Sequence, residues 1–305
     1  MIYTITLSPS LDYIMDLNQL SVGVINRSSK ETIVPGGKGI NVARMLKTLN
    51  VDSIIMSFIG GFTGNKLQEE LSKFGLKHDL IKINGDTKIN VKVNSLSETA
   101  INANGPQIKL EDIDLLIAKL TTLNDNDYLV LAGSVPNCLS ETIYADILSK
   151  LEDKKINIVV DTTNKYLINT LKYHPFLIKP NIEELEEIFN EKLDDINKIK
   201  CKCQYLQRLG AKNIIVSLGK EGAVMLCENQ EFLVQKSFDG TVVNTIGAGD
   251  SLVAGFIYQF ELNHSYADAL EFGCLCGAAT AFSQGLVNLD EIKKIKNKIT
   301  PISQK

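Results

Sequence analysis

Asn244-Thr245-Ile246-Gly247-Ala248-Gly249-Asp250-Ser251 runs directly into an apolar, helix-patterned stretch at 252–260. Gly247 and Gly249 let the backbone approach a ligand closely, consecutive N–H groups at a helix start can cradle an anion, and Asp250 falls in the first helical turn. An early acid is also an ordinary helix cap, so Asp250 by itself is open to both readings. A second glycine cluster stands near the start of the chain, Pro35-Gly36-Gly37-Lys38-Gly39-Ile40-Asn41-Val42-Ala43, again just before a helical pattern at 40–49. There the helix dipole and free N–H groups suit a phosphate or a polyhydroxylated ligand, and a plain glycine turn is the alternative. Neither cluster is a dinucleotide fingerprint, because Val42 and Leu252 stand where the third glycine belongs, and Lys38 is followed by Gly39 rather than the Ser/Thr of a P-loop. This argues against a dehydrogenase.

Between the two clusters, short apolar and β-branched runs at 53–59, 128–132, 156–160, 176–178 and 213–217 read as buried strands. They alternate with helical periodicity at 111–120, 141–151, 182–189 and 196–209. Such alternation implies parallel βαβ units and a mostly parallel sheet with helices on both faces. Two regions break the rhythm. Residues 22–34, and 89–93 with 99–102, alternate apolar and polar side chains as half-exposed strands do, so a small separate sheet covering a site is expected.

With 32 Lys+Arg against 36 Asp+Glu and a net charge of -4, the chain lacks the basic footprint of a nucleic-acid binder. The six cysteines form no CxxC pair and stand beside only three histidines, so neither a zinc framework nor a disulfide scaffold is expected. The uncharged stretch 272–289 carries Ser283, Gln284, Gly285 and Asn288, and reads as a buried helix followed by a turn rather than a membrane span. No basic n-region precedes an apolar h-region at the start, so a cytoplasmic location is the expectation.

Gly36-Gly37-Lys38-Gly39-Ile40-Asn41 and Gly247-Ala248-Gly249-Asp250 resemble, in order and separation, the two signatures of the PfkB, or ribokinase-like, carbohydrate kinases. Lys179-Pro180-Asn181-Ile182-Glu183-Glu184 is similar to that family's Asn-x-x-Glu element, and Ser217-Leu218-Gly219-Lys220-Glu221-Gly222 to its nucleotide-side strand and turn. The resemblance spans nearly the whole chain. It implies a three-layer α/β/α sandwich with a small β-sheet lid, one kinase domain over 1–305, and a lid built from about 12–34 and 87–104. One departure is Asn244-Thr245 where many members carry Asp-Thr, a change tolerated by branches that act on phosphorylated sugars. Ser8-Pro9-Ser10-Leu11-Asp12, Thr87-Lys88-Ile89-Asn90-Val91 and Glu98-Thr99-Ala100-Ile101-Asn102-Ala103-Asn104-Gly105-Pro106 look like the 1-phosphofructokinase branch. The tagatose-6-phosphate kinases rank second, and a noncatalytic sugar-phosphate sensor on the same fold is the rival from outside catalysis.

The implied reaction is transfer of the ATP γ-phosphoryl group, with Mg²⁺, to a hydroxyl of fructose 1-phosphate. Asp250 would act as general base, with Gly247, Ala248 and Gly249 stabilising charge on the phosphoryl oxygens. Asp12, Gly36, Gly37 and Asn41 match sugar-binding positions, with an ordinary turn residue as the alternative for Asp12. Lys88 and Lys38 would meet the existing phosphate. Arg27 would reach a neighbouring subunit's site or else solvate a strand edge, and Ser134 matches a position beside the substrate. Lys179, Asn181, Ser217 and Gly219 match nucleotide-side positions. Glu184 would hold Mg²⁺ through water while also forming a capping box with Asn181. Asp161 either supports that metal network or caps the residues after it, and stands outside the core site. An exposed lid sheet suits a homodimer.

Overall fold

Strand-length apolar runs build the body of the fold in the computed structural model, which describes residues 1–283, 287, 289–292 and 295. In chain order the first half contains β1 (Ile2–Thr6), β2 (Ser10–Asp16), β3 (Lys30–Gly36), α1 (Lys38–Thr48), β4 (Ser53–Ile59), α2 (Gly61–Lys73), β5 (Lys77–Lys82), β6 (Lys88–Asn94), β7 (Glu98–Ile101), α3 (Leu110–Leu120) and β8 (Tyr128–Ala132). The second half contains α4 (Ile143–Ser149), β9 (Asn157–Asp161), α5 (Asn164–Ile168), β10 (Leu177–Ile178), α6 (Ile182–Phe189), α7 (Ile196–Arg208), β11 (Asn213–Ser217), β12 (Ala223–Leu226), β13 (Phe232–Gln235), α8 (Ala248–Asn263) and α9 (Tyr266–Ala281).

Among the described residues, nine strands form one sheet in the order β13-β12-β11-β10-β9-β8-β1-β4-β5. It is parallel from β11 to β5 and ends in the antiparallel β11-β12-β13 edge. The strand period of two sorts side chains to opposite faces. Leu129 and Leu131 of β8 join Ile214 and Val216 of β11 beneath α3, α4 and α7, whereas Val130, Ala132 and Ile215 pack against α1, α8 and α9. These two cores on either side of one sheet make the three-layer α/β/α sandwich. A third cluster, with Ile40, Ile55, Ile59, Leu67 and Leu71 buried together, seats α1 and α2 on β4.

The small sheet has the order β3-β2-β6-β7. β2 pairs antiparallel with β3 from Ser10↔Gly36 to Asp16↔Lys30, and parallel with β6 from Ser10↔Lys88 to Asp16↔Asn94. It is thus stitched to the body where β3 runs into α1.

The structure differs from the sequence reading in three places. Regular pairing in 22–34 begins only at Lys30, because the preceding segment is closed by a side chain: Asn26 accepts from the Ser21 N–H at 2.9 Å and donates to the Ser21 carbonyl at 2.7 Å. The edge hairpin β12-β13, and β1, β2, β5, α2 and α5, have no counterpart in the sequence reading. Helix α8 begins at Ala248 rather than 252 and runs on to Asn263. The stretch from 272 lies in α9, as expected of a buried helix, and among the described residues no helix is long and apolar enough to cross a membrane. The expected turn at 284–286 and Asn288 lie outside the described residues. All six cysteines are free, and burial pushes the Cys203 thiol up to about 12, as suits packing rather than chemistry.

Candidate active site

Two helix starts face one cleft. Gly37, at φ 126°, caps α1, and Gly247, at φ 79°, caps α8, both in backbone regions that side-chain-bearing residues avoid. Asn244 prepares the second start: its Oδ1 accepts from the Ile246 N–H at 2.8 Å. An amide oxygen therefore performs this turn as well as a carboxylate would, which is how the Asn-for-Asp departure is accommodated. Asn41 of α1 ties the two helices together by donating Nδ2–H to Asp250 Oδ2 at 2.8 Å.

The cleft encloses about 700 Å³. Its lining includes Asp12, Gly37, Lys38, Asn41, Lys88, Ser134, Lys179, Asn181, Glu184, Ser217, Gly247, Gly249 and Asp250. Gly36 is buried behind it, where an added Cβ would lie 2.5 Å from Asp12 Oδ1, so its role is to make room for that carboxylate. Ala248 is not part of the lining, and its N–H donates to the Thr245 carbonyl at 3.2 Å. In this geometry Gly247 and Gly249, and not Ala248, face the cleft. Gly219 is exposed just beyond β11, with open space around it. Arg27 is exposed and apart from the lining.

Charge is organised around two acids. Asp161, wholly buried at the end of β9, receives Lys38 Nζ at 3.0 Å and Lys179 Nζ at 3.4 Å on one oxygen. Burial opposes its ionisation, but Lys179 and Lys38 outweigh burial and hold the carboxyl below its ordinary range. The capping alternative for Asp161 does not hold, since both lysines sit on Oδ1 and the buried Oδ2 accepts no hydrogen bond among the described residues. Asp161 lies behind the cleft lining, where it anchors Lys38 and Lys179. Burial likewise disfavours charge on Lys38, yet Asp161, Glu184 and Asp250 together raise it above the usual lysine value. Asp250 has the opposite balance: burial, then the field of Asp161, push it up to about 6 against the pull of Lys38, Asn41 and Lys179. A carboxylate poised near neutrality beside a helix N-terminus can take a proton from a hydroxyl while an anion rests on the N–H groups.

Asn181 Oδ1 accepts from the Glu184 N–H at 2.6 Å, and Glu184 Oε2 accepts from the Asn181 N–H at 2.8 Å, so the expected capping box is present. The other Glu184 oxygen is 3.8 Å from Lys38 Nζ. Among the described residues no three His, Cys, Asp or Glu gather into a metal cage. One cleft-lining carboxylate fits a Mg²⁺ that keeps its waters and is held chiefly by nucleotide phosphates.

At the other side of the cleft, β6 presents Lys88, Asn90 and Lys92 on one face. Asp12 Oδ1 accepts from Ser10 Oγ at 2.7 Å and Asn90 Nδ2 at 3.1 Å, and Oδ2 pairs with Lys92 Nζ at 2.5 Å. Asp12 is thus a built part of the site rather than a turn residue. Asn90 and Lys92 were missed as site residues, although both follow from Lys88 by the strand's period of two. Of the four lysines in the lining, Lys38, Lys92 and Lys179 are paired with protein carboxylates; among the described residues Lys88 has no such partner.

Residues 6–293 match the pfkB family carbohydrate kinases. The chain belongs to that family. A 1-phosphofructokinase of Borreliella burgdorferi is 39% identical over 300 residues, covering 97% of this chain and 96% of its own. A D-tagatose-1-phosphate kinase of Bacillus licheniformis is 34% identical, covering 98% of each chain. Among solved structures, Escherichia coli phosphofructokinase-2 in complex with substrates and products superposes with a TM-score of 0.93 at 25% identity, over 98% of this chain and 99% of that one. As a pfkB kinase, the protein has the ribokinase-like α/β architecture that the glycine clusters implied.

Proposed function

We propose that this kinase transfers the γ-phosphoryl group of ATP to the 6-hydroxyl of fructose 1-phosphate, yielding fructose 1,6-bisphosphate and ADP. One observation carries this reading: the cleft that holds the buried Asp250 at a helix start also holds an uncommitted ammonium, Lys88, on another layer of the fold. A phosphorylated sugar needs a base at one end and a free cation at the other. The names of the two relatives point the same way, since both carry a ketohexose 1-phosphate.

Asp250 accepts the hydroxyl proton as the sugar oxygen attacks the γ-phosphorus and the bond to the ADP oxygen breaks. Gly247 and Gly249 stabilise the equatorial oxygens, and Lys38 and Lys179, fixed by Asp161, face the phosphates. Asp12, Asn41, Gly37 and Ser134 hold the sugar. Asn181, Ser217 and Gly219 lie on the nucleotide side. Mg²⁺ neutralises phosphate charge when bound, and Glu184 would hold it through water.

Under this reading 1–305 is one kinase domain, with residues 12–34 and 87–104 as its lid, working in the cytoplasm where ATP is supplied. The exposed Val22, Ile25, Leu96 and Ile101 of the small-sheet region support a homodimer, in which Arg27 would reach the neighbouring site. Light scattering giving a monomeric mass at working concentration removes the homodimer. ATP consumption with fructose 1-phosphate, tagatose 6-phosphate, fructose 6-phosphate and adenosine tests the reaction. The highest kcat/KM is expected with fructose 1-phosphate. A tenfold advantage for tagatose 6-phosphate transfers the assignment to the second branch. Binding without turnover of either sugar phosphate leaves the sensor alternative, against which the intact Asp250 and glycine run already speak.

A further inference from the structure

Asp12 presents an electrostatic difficulty. It lines the same end of the cleft as Lys88, and its carboxylate opposes the approach of any dianionic phosphate that Lys88 attracts. Taken alone, Lys88 and Asp12 sum to no charge, and a phosphorylated sugar would gain little there over its unphosphorylated form. Lys92 changes this balance. Its side chain is only 13% exposed, its Nζ is 2.5 Å from Asp12 Oδ2, and it stands on the same face of β6 as Lys88. Arg44 also lies in the field of Asp12, but its guanidinium stacks 4.8 Å over the Phe74 ring and is absent from the cleft lining.

We propose that Lys92 is a specificity-determining positioning residue: by neutralising Asp12 within the cleft, it lets one site combine a carboxylate for sugar hydroxyls with a net positive charge for the sugar phosphate. Ser10 and Asn90 occupy Oδ1 and Lys92 occupies Oδ2, so the carboxylate is held on both oxygens while Lys88 stays uncommitted. The recognised chemistry is a polyol carrying a phosphate monoester, with the ester beside β6. This rests on the kinase reading above and adds a residue to it.

The test compares KM for fructose 1-phosphate with the inhibition constant of unphosphorylated fructose, in the full-length enzyme. Lys92→Met is expected to raise KM about 10- to 100-fold, the range for loss of a charge-assisted interaction, with kcat changed by less than about threefold and fructose inhibition changed little. Lys92→Arg restores KM toward the starting value. Asp12→Asn combined with Lys92→Met removes both charges, and so is expected to show a lower KM than Lys92→Met alone despite the weaker hydroxyl contact. This double variant also contains no unpaired buried carboxylate, and serves if Lys92→Met does not fold. Equal losses for the phosphorylated and unphosphorylated sugars, or a double variant worse than Lys92→Met, overturn the proposal. Failure of the unmodified enzyme to turn over any sugar phosphate instead sinks the kinase reading. If another ketohexose phosphate is preferred, the same comparison applies to it and its unphosphorylated form.

Discussion

Asp250, the proposed base, shows how burying a carboxylate opposes stability at a single residue. Its carboxyl is pushed up from 3.8 to about 6, so between those values the folded chain holds a proton that the unfolded chain has released. Stability therefore declines as pH rises through this window, and the penalty persists above it. Asp250→Asn keeps the shape and can still accept from Asn41, so it is expected to raise the melting temperature at neutral pH while lowering turnover by about 10²–10⁴. Calorimetry and steady-state kinetics on the same preparation check both; a lowered melting temperature with retained turnover contradicts the base assignment. For the unmodified enzyme, activity changes in the opposite direction, with kcat/KM rising through about pH 6 as the base ionises. A profile flat from pH 5 to 7 would remove this role. The residue was legible in its motif. Its shifted acidity was not, because that depends first on burial in the folded chain and then on the field of Asp161, 89 positions away in the sequence.

Among the elements, α1 and α8 matter most, because their first turns must meet both a ligand and a strand. A Cβ on Gly39 would come within 2.7 Å of the Ile5 carbonyl oxygen of β1, and backbone cannot move aside as a side chain can. Gly39→Ala is therefore expected to destabilise the fold by about 1–3 kcal/mol, measurable by denaturant titration. Gly249 differs, since a Cβ there would meet Lys179 Nζ at 3.1 Å, the far end of a side chain rather than backbone. Gly249→Val should leave the midpoint of unfolding nearer the original than Gly39→Ala does, yet abolish most ATP turnover by displacing Lys179 and crowding the anion cradle. Unchanged turnover would show that α8's first turn is not that cradle. Several elements were readable to the residue: β4, β8, β11 and α6 have the expected bounds, because continuous β-branched runs and a capping box mark their own ends. The helix at 141–151 shrinks to Ile143–Ser149, and β10 to two residues, because end turns and neighbouring ladders, rather than local pattern, decide such limits.

At the scale of the whole molecule, the site exists because a small sheet and a large one are joined at β3 and α1, so that β6 contributes to one cleft with the first turns of α1, α6 and α8. Lys88→Ala tests this division of labour: capture of fructose 1-phosphate should weaken about 10- to 100-fold, while fructose is nearly indifferent. Equal losses for both sugars would mean that the small sheet does not supply the phosphate subsite. The sequence by itself determined the layered α/β class, the two glycine-led helix starts and most of the candidate residues, since periodicity, turn chemistry and motif spacing are local properties of a chain. Only the tertiary structure decided that Asp161 underlies Lys38 and Lys179, that Ala248 turns its N–H to Thr245, and that Lys92 answers Asp12 while Lys88 stays free among the described residues. Those outcomes depend on distances between residues far apart in sequence and on the low dielectric of a buried site, where a few ångströms decide which charges pair.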